Sequence, residues 1–270
     1  MIKVNRKILE METFPNGEKK VPTFERKMLN DVEMKWESDE DFITLMFVKD
    51  ALDEMSLPNM ISTLKIPFLP YGRMDRKIEG SLFTLKSICK FINSLGFTVV
   101  ETMDNHSEVS NALIDNLLNH NRMNIDIQNL MEEETIDCLF YPDAGAEKRY
   151  DLDFDLEVLI GEKERDLQTG RIKTYNIRGF SSEPMHRPLE GKTVLIIDDL
   201  CSYGGTFVLA ADKLKDLGAK KIILMVTHCE KSILDGKIFN DSYIDIVYTT
   251  NSLIYDSHAS DRLIIENVFF

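Results

Sequence analysis

The chain contains no Cys-x-x-Cys pair, no low-complexity tract, no short repeat, no long Pro/Gly/Ser linker and no apolar run long enough to cross a bilayer. Each absence closes a class. Cys89, Cys138, Cys201 and Cys229 are scattered, so a disulfide framework and a structural zinc site are not expected, and all four read as buried free thiols. Met1 to Lys7 leads into no apolar signal core, which points to a cytoplasmic protein with no membrane partner. Basic residues are also in short supply: 32 Lys and Arg face 46 Asp and Glu, a formal net charge of −14. That balance excludes a broad basic field for nucleic acid. A small phosphorylated ligand needs only a few local donors and stays open.

What is present is an alternation of short apolar runs with helical patterns, the mark of an α/β protein with mostly parallel sheets. Val32–Trp36, Ile61–Leu69, Thr98–Thr102, Ile136–Tyr141, Glu157–Ile160, Thr193–Ile197 and Ile222–Val226 read as strands. Ser38 is expected to cap a helix whose first turn is acidic. Leu82–Leu95 reads as a helix stopped by Gly96. Phe207, Ala210, Ala211, Leu214 and Leu217 share one face of another, with Gly218 at its C-terminal end. Helical periodicity is weakest across Asn105–Glu134, where acids and amides interrupt it.

The strongest local signal runs from Val194 to Thr206: an apolar strand, the pair Asp198-Asp199, then Ser202, Tyr203, Gly204, Gly205 and Thr206 at the start of a helix. Ligands of open α/β sheets bind beyond the carboxyl ends of the strands, where this loop falls. Gly204 and Gly205 let backbone N–H groups turn toward a phosphate, Thr206 adds a hydroxyl, and the helix N-terminus favours the anion. Two carboxylates would repel phosphate, but they suit the vicinal hydroxyls of a ribose. A strand–turn–helix junction with an acidic cap would explain a lone Gly-Gly turn. It does not explain the preceding acid pair.

Asp-Asp-x-x-x-x-Gly-Gly-Thr resembles the ribose-phosphate loop of the phosphoribosyltransferase-type fold, and further segments narrow the likeness to the phosphoribosyl pyrophosphate synthetases. Phe14-Pro15-Asn16-Gly17-Glu18 is similar to that family's Phe-x-Asp-Gly-Glu segment. Pro70-Tyr71-Gly72-Arg73-Met74-Asp75-Arg76-Lys77 resembles its Pro-Tyr-Ala-Arg-Gln-Asp-Arg-Lys stretch, and Asp104-Asn105-His106 its Asp-Leu-His. Pro142-Asp143-Ala144-Gly145-Ala146-Glu147-Lys148-Arg149 matches Pro-Asp-x-Gly-x-x-x-Arg, and Lys163-Glu164-Arg165 matches Lys-Arg-Arg at both ends. The motifs are collinear from Phe14 to about Asn251.

The resemblance implies transfer of the β,γ-diphosphate of ATP to the 1-hydroxyl of a ribose 5-phosphate unit, with Mg2+ bridging phosphate oxygens and AMP released. It implies an adenine pocket with Phe14 and Glu18, the lesser alternative for Phe14 being a core residue at a strand end. Arg73 and Asp75 would meet ATP; alone, that segment could be a solvated charged turn. His106 and Asp143 would contact magnesium. Lys163 and Arg165, two apart on a strand, would face one way and neutralise the transition state. Asp166–Pro188 reads as a mobile hairpin or lid. The family further implies a homo-oligomer, dimer to hexamer.

The expected fold is therefore two phosphoribosyltransferase-like domains, each a mostly parallel sheet flanked by helices. The first covers residues 1–135 and the second 136–270, with the last residues as candidates for packing back on the first. Ser202 and Tyr203 depart from the family's Asp-Thr at the same place, and Asn16 and Met74 stand where the family has Asp and Gln. The loop changes keep an acceptor extended beyond the 5-phosphate, such as ADP-ribose, level with ribose 5-phosphate itself. A phosphoribosyltransferase that consumes activated ribose, or a non-catalytic synthetase-like subunit, ranks lower, because neither needs Arg73, His106, Asp143, Lys163 and Arg165 together.

Overall fold

The computed structural model describes residues 1–54, 59–150, 154–165, 172–179, 189–240 and 242–269, with backbone alone at 163–165 and 172–174. The chain divides into two compact units, Met1–Asn121 with Val268–Phe270, and Arg122–Asn267.

In the first unit the strands are β1 (Ile2–Val4), β2 (Lys7–Ile8), β3 (Glu12–Thr13), β4 (Lys19–Lys20), β5 (Leu29–Met34), β6 (Ile61–Lys65), β7 (Val99–Met103) and β8 (Leu117–His120). Its helices are α1 (Glu40–Asp53), α2 (Thr84–Ser94) and α3 (Val109–Leu113). The main sheet has the order β2-β1-β5-β6-β7-β8, and β3 and β4 form a separate hairpin. β5 to β8 run parallel, while β1 pairs antiparallel with both β5 and β2. Val32, Leu64 and Val100 bury against Leu45, Val48 and Leu52 of α1 and Leu85, Cys89 and Ile92 of α2. α2 ends as expected, with Gly96 at φ +67.

The start of α1 departs from the expectation: Asp39 stands at the N-cap without a side-chain cap bond. Instead Asp41 reaches back, its Oδ2 accepting from the N–H groups of Glu37 and Ser38 at 2.7 and 3.1 Å. β8 lies in the stretch where the helical pattern was weakest. The chain's last residues belong to this unit. Lys3 Nζ donates to the Phe269 carbonyl at 3.1 Å, Lys65 Nζ to that of Val268 at 2.9 Å, and the Phe269 ring is fully buried.

The second unit contains α4 (Met123–Glu133), β9 (Cys138–Tyr141), α5 (Ala144–Arg149), β10 (Glu157–Arg165), β11 (Ile172–Gly179), β12 (Thr193–Cys201), α6 (Gly205–Asp216), β13 (Lys221–Cys229), β14 (Ile246–Thr250) and β15 (Leu263–Glu266). Its sheet has the order β11-β10-β9-β12-β13-β14-β15, parallel throughout except for β11 at one edge. Because side chains alternate along a strand, a sheet covered on both faces reads as a continuous apolar run. Val194 and Ile196 of β12 bury on one face with Ala210, Ala211 and Leu214 of α6. Leu195 and Ile197 bury on the other with Met123, Ile127 and Leu130 of α4. No helix among the described residues is long and apolar enough to cross a membrane.

Candidate functional site

The candidate residues fall in both units. In the second unit β12 is the central strand, and it extends beyond its apolar run to Cys201, so Asp198 and Asp199 are strand residues rather than loop residues. Asp199 is buried and Asp198 is 17% exposed. Both meet one guanidinium: Arg149, the last residue of α5, donates from Nη1 to Asp198 Oδ1 at 3.0 Å and to Asp199 Oδ1 at 2.5 Å. Burial, reinforced by the charge of Asp199, pushes the Asp198 carboxyl well above the usual carboxylate range, with Arg149 opposing. Burial also works against the charge on Arg149, yet Asp199 and Asp198 outweigh it and hold its pKa above the ordinary value.

Beyond Cys201 the chain turns through Ser202 and Tyr203 into α6. Gly204 is the N-cap at φ +77, where an L side chain is strained, and a Cβ there would also collide with Ile238 Cδ1. No side chain caps α6, so its first-turn N–H groups are placed as an anion cradle, with Thr206 half-buried beside them. Behind the loop lies Gly236, whose Cβ would strike the Tyr203 carbonyl; no sequence signal singled it out. Tyr203 itself is 63% exposed. With Gly205, Val208 and Asp212 of α6 on one side and Lys237 and Tyr243 on the other, it lines a cavity of about 880 Å³.

Asp143, expected at a metal, is the N-cap of α5: its Oδ1 accepts from the N–H groups of Gly145 and Ala146 at 2.9 and 3.0 Å. β10 and β11 form an antiparallel hairpin in which Lys163 pairs with Tyr175 and Arg165 with Ile172. A register shift falls between Glu164 and Arg165. Of the stretch read as a lid, 172–179 form β11; 166–171 and 180–188 lie outside the described residues. Two bonds tie the hairpin to α5. Tyr175 donates its hydroxyl to the Pro142 carbonyl at 3.1 Å, and Arg178 pairs with Glu147 at 3.2 Å.

In the first unit two motifs separated in sequence converge. The loop 70–77 packs on the loop 104–107 so closely that a Cβ on Gly72 would lie 3.2 Å from His106 Cβ. Burial opposes charge on Asp75, but hydrogen bonds from Ser107 and Arg76, with Arg76 and His106 nearby, keep its carboxyl below the usual range. Tyr71 and Asp104 take φ +66 and +37, the kind of backbone strain that persists where surrounding contacts fix it. Arg73 is exposed and His106 half-buried. Phe14 and Glu18 flank the turn of the β3–β4 hairpin, joined by a 2.8 Å bond from Phe14 N–H to the Glu18 carbonyl. Phe14 is 50% exposed, so it is not a core residue.

Among the described residues no group of three or more His, Cys, Asp and Glu side chains could hold a metal ion. Magnesium tolerates such a site, since it commonly binds through one or two carboxylates plus substrate phosphates and water. His106 in the first unit and Asp143 in the second each offer a single donor, a sparse set of the kind that sort of site uses.

Residues 184–267 match the family model of the phosphoribosyl synthetase-associated domain. A ribose-phosphate pyrophosphokinase of Sulfolobus acidocaldarius is 28% identical over 92% of this chain and 86% of its own length. One from Thermosipho africanus is 30% identical over 82% of this chain and 68% of its own. The crystal structure of phosphoribosylpyrophosphate synthetase from Mycobacterium smegmatis, 19% identical, superposes with a TM-score of 0.73 over 97% of this chain and 86% of that one, which identifies a shared fold. Two parallel-sheet units, the acid pair before an uncapped glycine-rich helix start, and relatives at this identity and coverage lead to one assignment: the chain belongs to the ribose-phosphate pyrophosphokinase family of transferases.

Proposed function

We propose that the protein transfers the β,γ-diphosphate of ATP to the anomeric 1-hydroxyl of ribose 5-phosphate, giving phosphoribosyl pyrophosphate and AMP. The observation that carries this reading is the carboxylate pair Asp198–Asp199 directly ahead of the uncapped N-terminus of α6. Carboxylates accept from two ribose hydroxyls, and the N–H groups at Gly204–Thr206 receive the 5-phosphate. In the reaction the 1-hydroxyl oxygen bonds to the β-phosphorus, the bond from that phosphorus to the α-phosphate oxygen breaks, and the hydroxyl proton is lost.

Phe14 and Glu18 serve the adenine, and Arg73 and Asp75 the nucleotide. Lys163 and Arg165 balance the charge spreading over the transferred phosphoryl oxygens. Magnesium, held by the ATP phosphates with help from His106 and Asp143, neutralises phosphate charge when bound. The reading includes a cytoplasmic homo-oligomer, dimer to hexamer, which light scattering measures. Mass spectrometry of the spent nucleotide tests the chemistry: AMP supports diphosphoryl transfer, and ADP as sole product overturns it.

A second reading keeps the reaction and extends the acceptor past its 5-phosphate, as in ADP-ribose, whose product would feed NAD synthesis. It is favoured by Tyr203, exposed where the family has Thr, and by the cavity it shares with Tyr243 and Lys237 along α6. An aromatic pair and a cation suit an adenine and a second phosphate. Comparing kcat/KM for ribose 5-phosphate and ADP-ribose, in the wild type and in Ser202→Asp/Tyr203→Thr, separates the two. A wild-type preference for ribose 5-phosphate that the double substitution leaves unchanged rules the extension out.

A further inference from the structure

We infer that Arg149 is a positioning residue for the acceptor: its guanidinium holds Asp198 and Asp199 in one arrangement that receives two neighbouring ribose hydroxyls. The inference rests on the reading of that acid pair as the ribose-binding group.

Consecutive residues on a strand ordinarily point to opposite faces. Asp198 and Asp199 are consecutive on β12, yet Oδ1 of each lies within 3.0 Å of the same nitrogen, Arg149 Nη1. Asp198 Oδ1 is fixed a second time by the Asp199 N–H, at 2.9 Å. Two adjacent carboxylates, one buried and one nearly so, repel each other unless a cation stands between them. Arg149 is that cation, 15% exposed, and its planar fork fixes direction as well as charge.

The platform under Arg149 is also held. α5 is capped by Asp143 at its start, and Pro142 just before the cap accepts from the Tyr175 hydroxyl. Glu147 of α5 pairs with Arg178 of β11. A surface arginine answering two acids would have no reason to sit on a helix of six residues gripped at three points. A group that must keep two carboxylates aligned does.

The test is steady-state kinetics of the full chain with both substrates varied, using ribose 5-phosphate as acceptor (or ADP-ribose, should the comparison above favour it). Arg149→Gln removes the cation that opposes protonation of Asp198 and aligns the pair, so KM for the acceptor should rise roughly tenfold or more while KM for ATP stays within about twofold. Arg149→Lys restores the charge without the fork and should recover part of that loss. If Arg149→Gln does not fold, Arg149→Lys alone carries the test, with a several-fold rise in acceptor KM and none for ATP. Equal rises in both KM values, or a lysine variant no better than glutamine, would overturn the inference. Asp198→Asn/Asp199→Asn with an unchanged acceptor KM would instead overturn the reading of the acid pair as the ribose-binding group, so the two failures are distinguishable.

Discussion

Asp198 and Asp199 stand on the central strand of a seven-stranded sheet, buried or nearly so and anchored by an arginine on a capped helix. In the other unit Arg73, Asp75 and His106 stand on two loops, whose packing depends on Gly72 against His106 and on left-handed backbone at Tyr71 and Asp104. One region takes its geometry from regular secondary structure and an apolar core on both faces. The other takes it from loop-to-loop contact, with Tyr71 held by its hydroxyl bond to Asp39 at 2.7 Å and its ring edge toward Trp36. Substitutions in the first region should therefore cost chemistry or the whole fold, while substitutions in the second should deform a loop at little global cost.

The largest expected effect belongs to the sheet-borne region. On the proposed role of Lys163, Lys163→Ala should lower turnover by about two or more orders of magnitude, because a charge lost beside a transferring phosphoryl group costs about 3 kcal/mol or more of transition-state stabilisation. The far-ultraviolet circular dichroism and the urea midpoint should be unchanged. A variant retaining near-normal kcat would remove Lys163 from the chemistry.

The two glycines set the regions against each other directly. Gly204→Ala forces an L residue to φ +77 and drives its Cβ into Ile238, and should cost about 1–3 kcal/mol of unfolding free energy together with acceptor affinity. Gly72→Ala meets only a 3.2 Å contact and should cost less than about 1 kcal/mol, its effect confined to the nucleotide side through displacement of His106. Urea denaturation of the pair decides. Equal losses would mean that the loops are as tightly determined as the sheet.

Asp143 can be split into its two assignments. Asp143→Ala removes the cap of α5 and should cost about 1 kcal/mol. Asp143→Ser keeps a cap acceptor and should lose only a few tenths. If the carboxylate also serves magnesium, the serine variant will need more of the metal for half-maximal rate despite its near-native stability. An unchanged magnesium requirement in Asp143→Ser leaves the residue purely structural.

The sequence made parts of this molecule legible for physical reasons. Val194–Ile197 had to be a strand buried on both faces, and the spacing of Phe207, Ala210, Ala211 and Leu214 could only be one helical face. Both are local statements about period. The short strands β1, β2 and β8 escaped because two to four residues carry too little pattern. β15 escaped as well: its burial alternates, but the sequence Leu-Ile-Ile-Glu shows no polar alternation to announce it. Arg149 was visible as part of a motif but not as a partner of the acids, which lie 49 and 50 residues away. By contrast, the cap role of Asp143 was readable, since an Asp ahead of Ala-Gly-Ala-Glu is an ordinary helix start. The Tyr175 clamp on Pro142 depends on Gly161, where a side chain would collide with the phenol, and no local rule announces such a pairing.

The smallest expected effect tests the outermost of the loop-borne residues. Phe14 sits at the base of a tight turn: its carbonyl accepts from Gly17 N–H at 2.8 Å, and its own N–H donates to the Glu18 carbonyl at 2.8 Å. Those bonds use the backbone alone, and Gly17 supplies the φ of +94 that the turn requires. Removing the ring should leave the hairpin intact. Because half of the side chain is already in water, Phe14→Ala should change unfolding free energy by no more than about 0.5 kcal/mol. What it removes is a flat apolar face, whose stacking on an adenine is worth about 0.5–1.5 kcal/mol, so KM for ATP should rise severalfold while acceptor KM stays fixed. Phe14→Tyr should restore the ATP value, since it returns the ring and adds only a hydroxyl. A destabilised Phe14→Ala with unchanged ATP affinity would show instead that the ring supports the fold, and the adenine pocket would have to be sought elsewhere in the first unit.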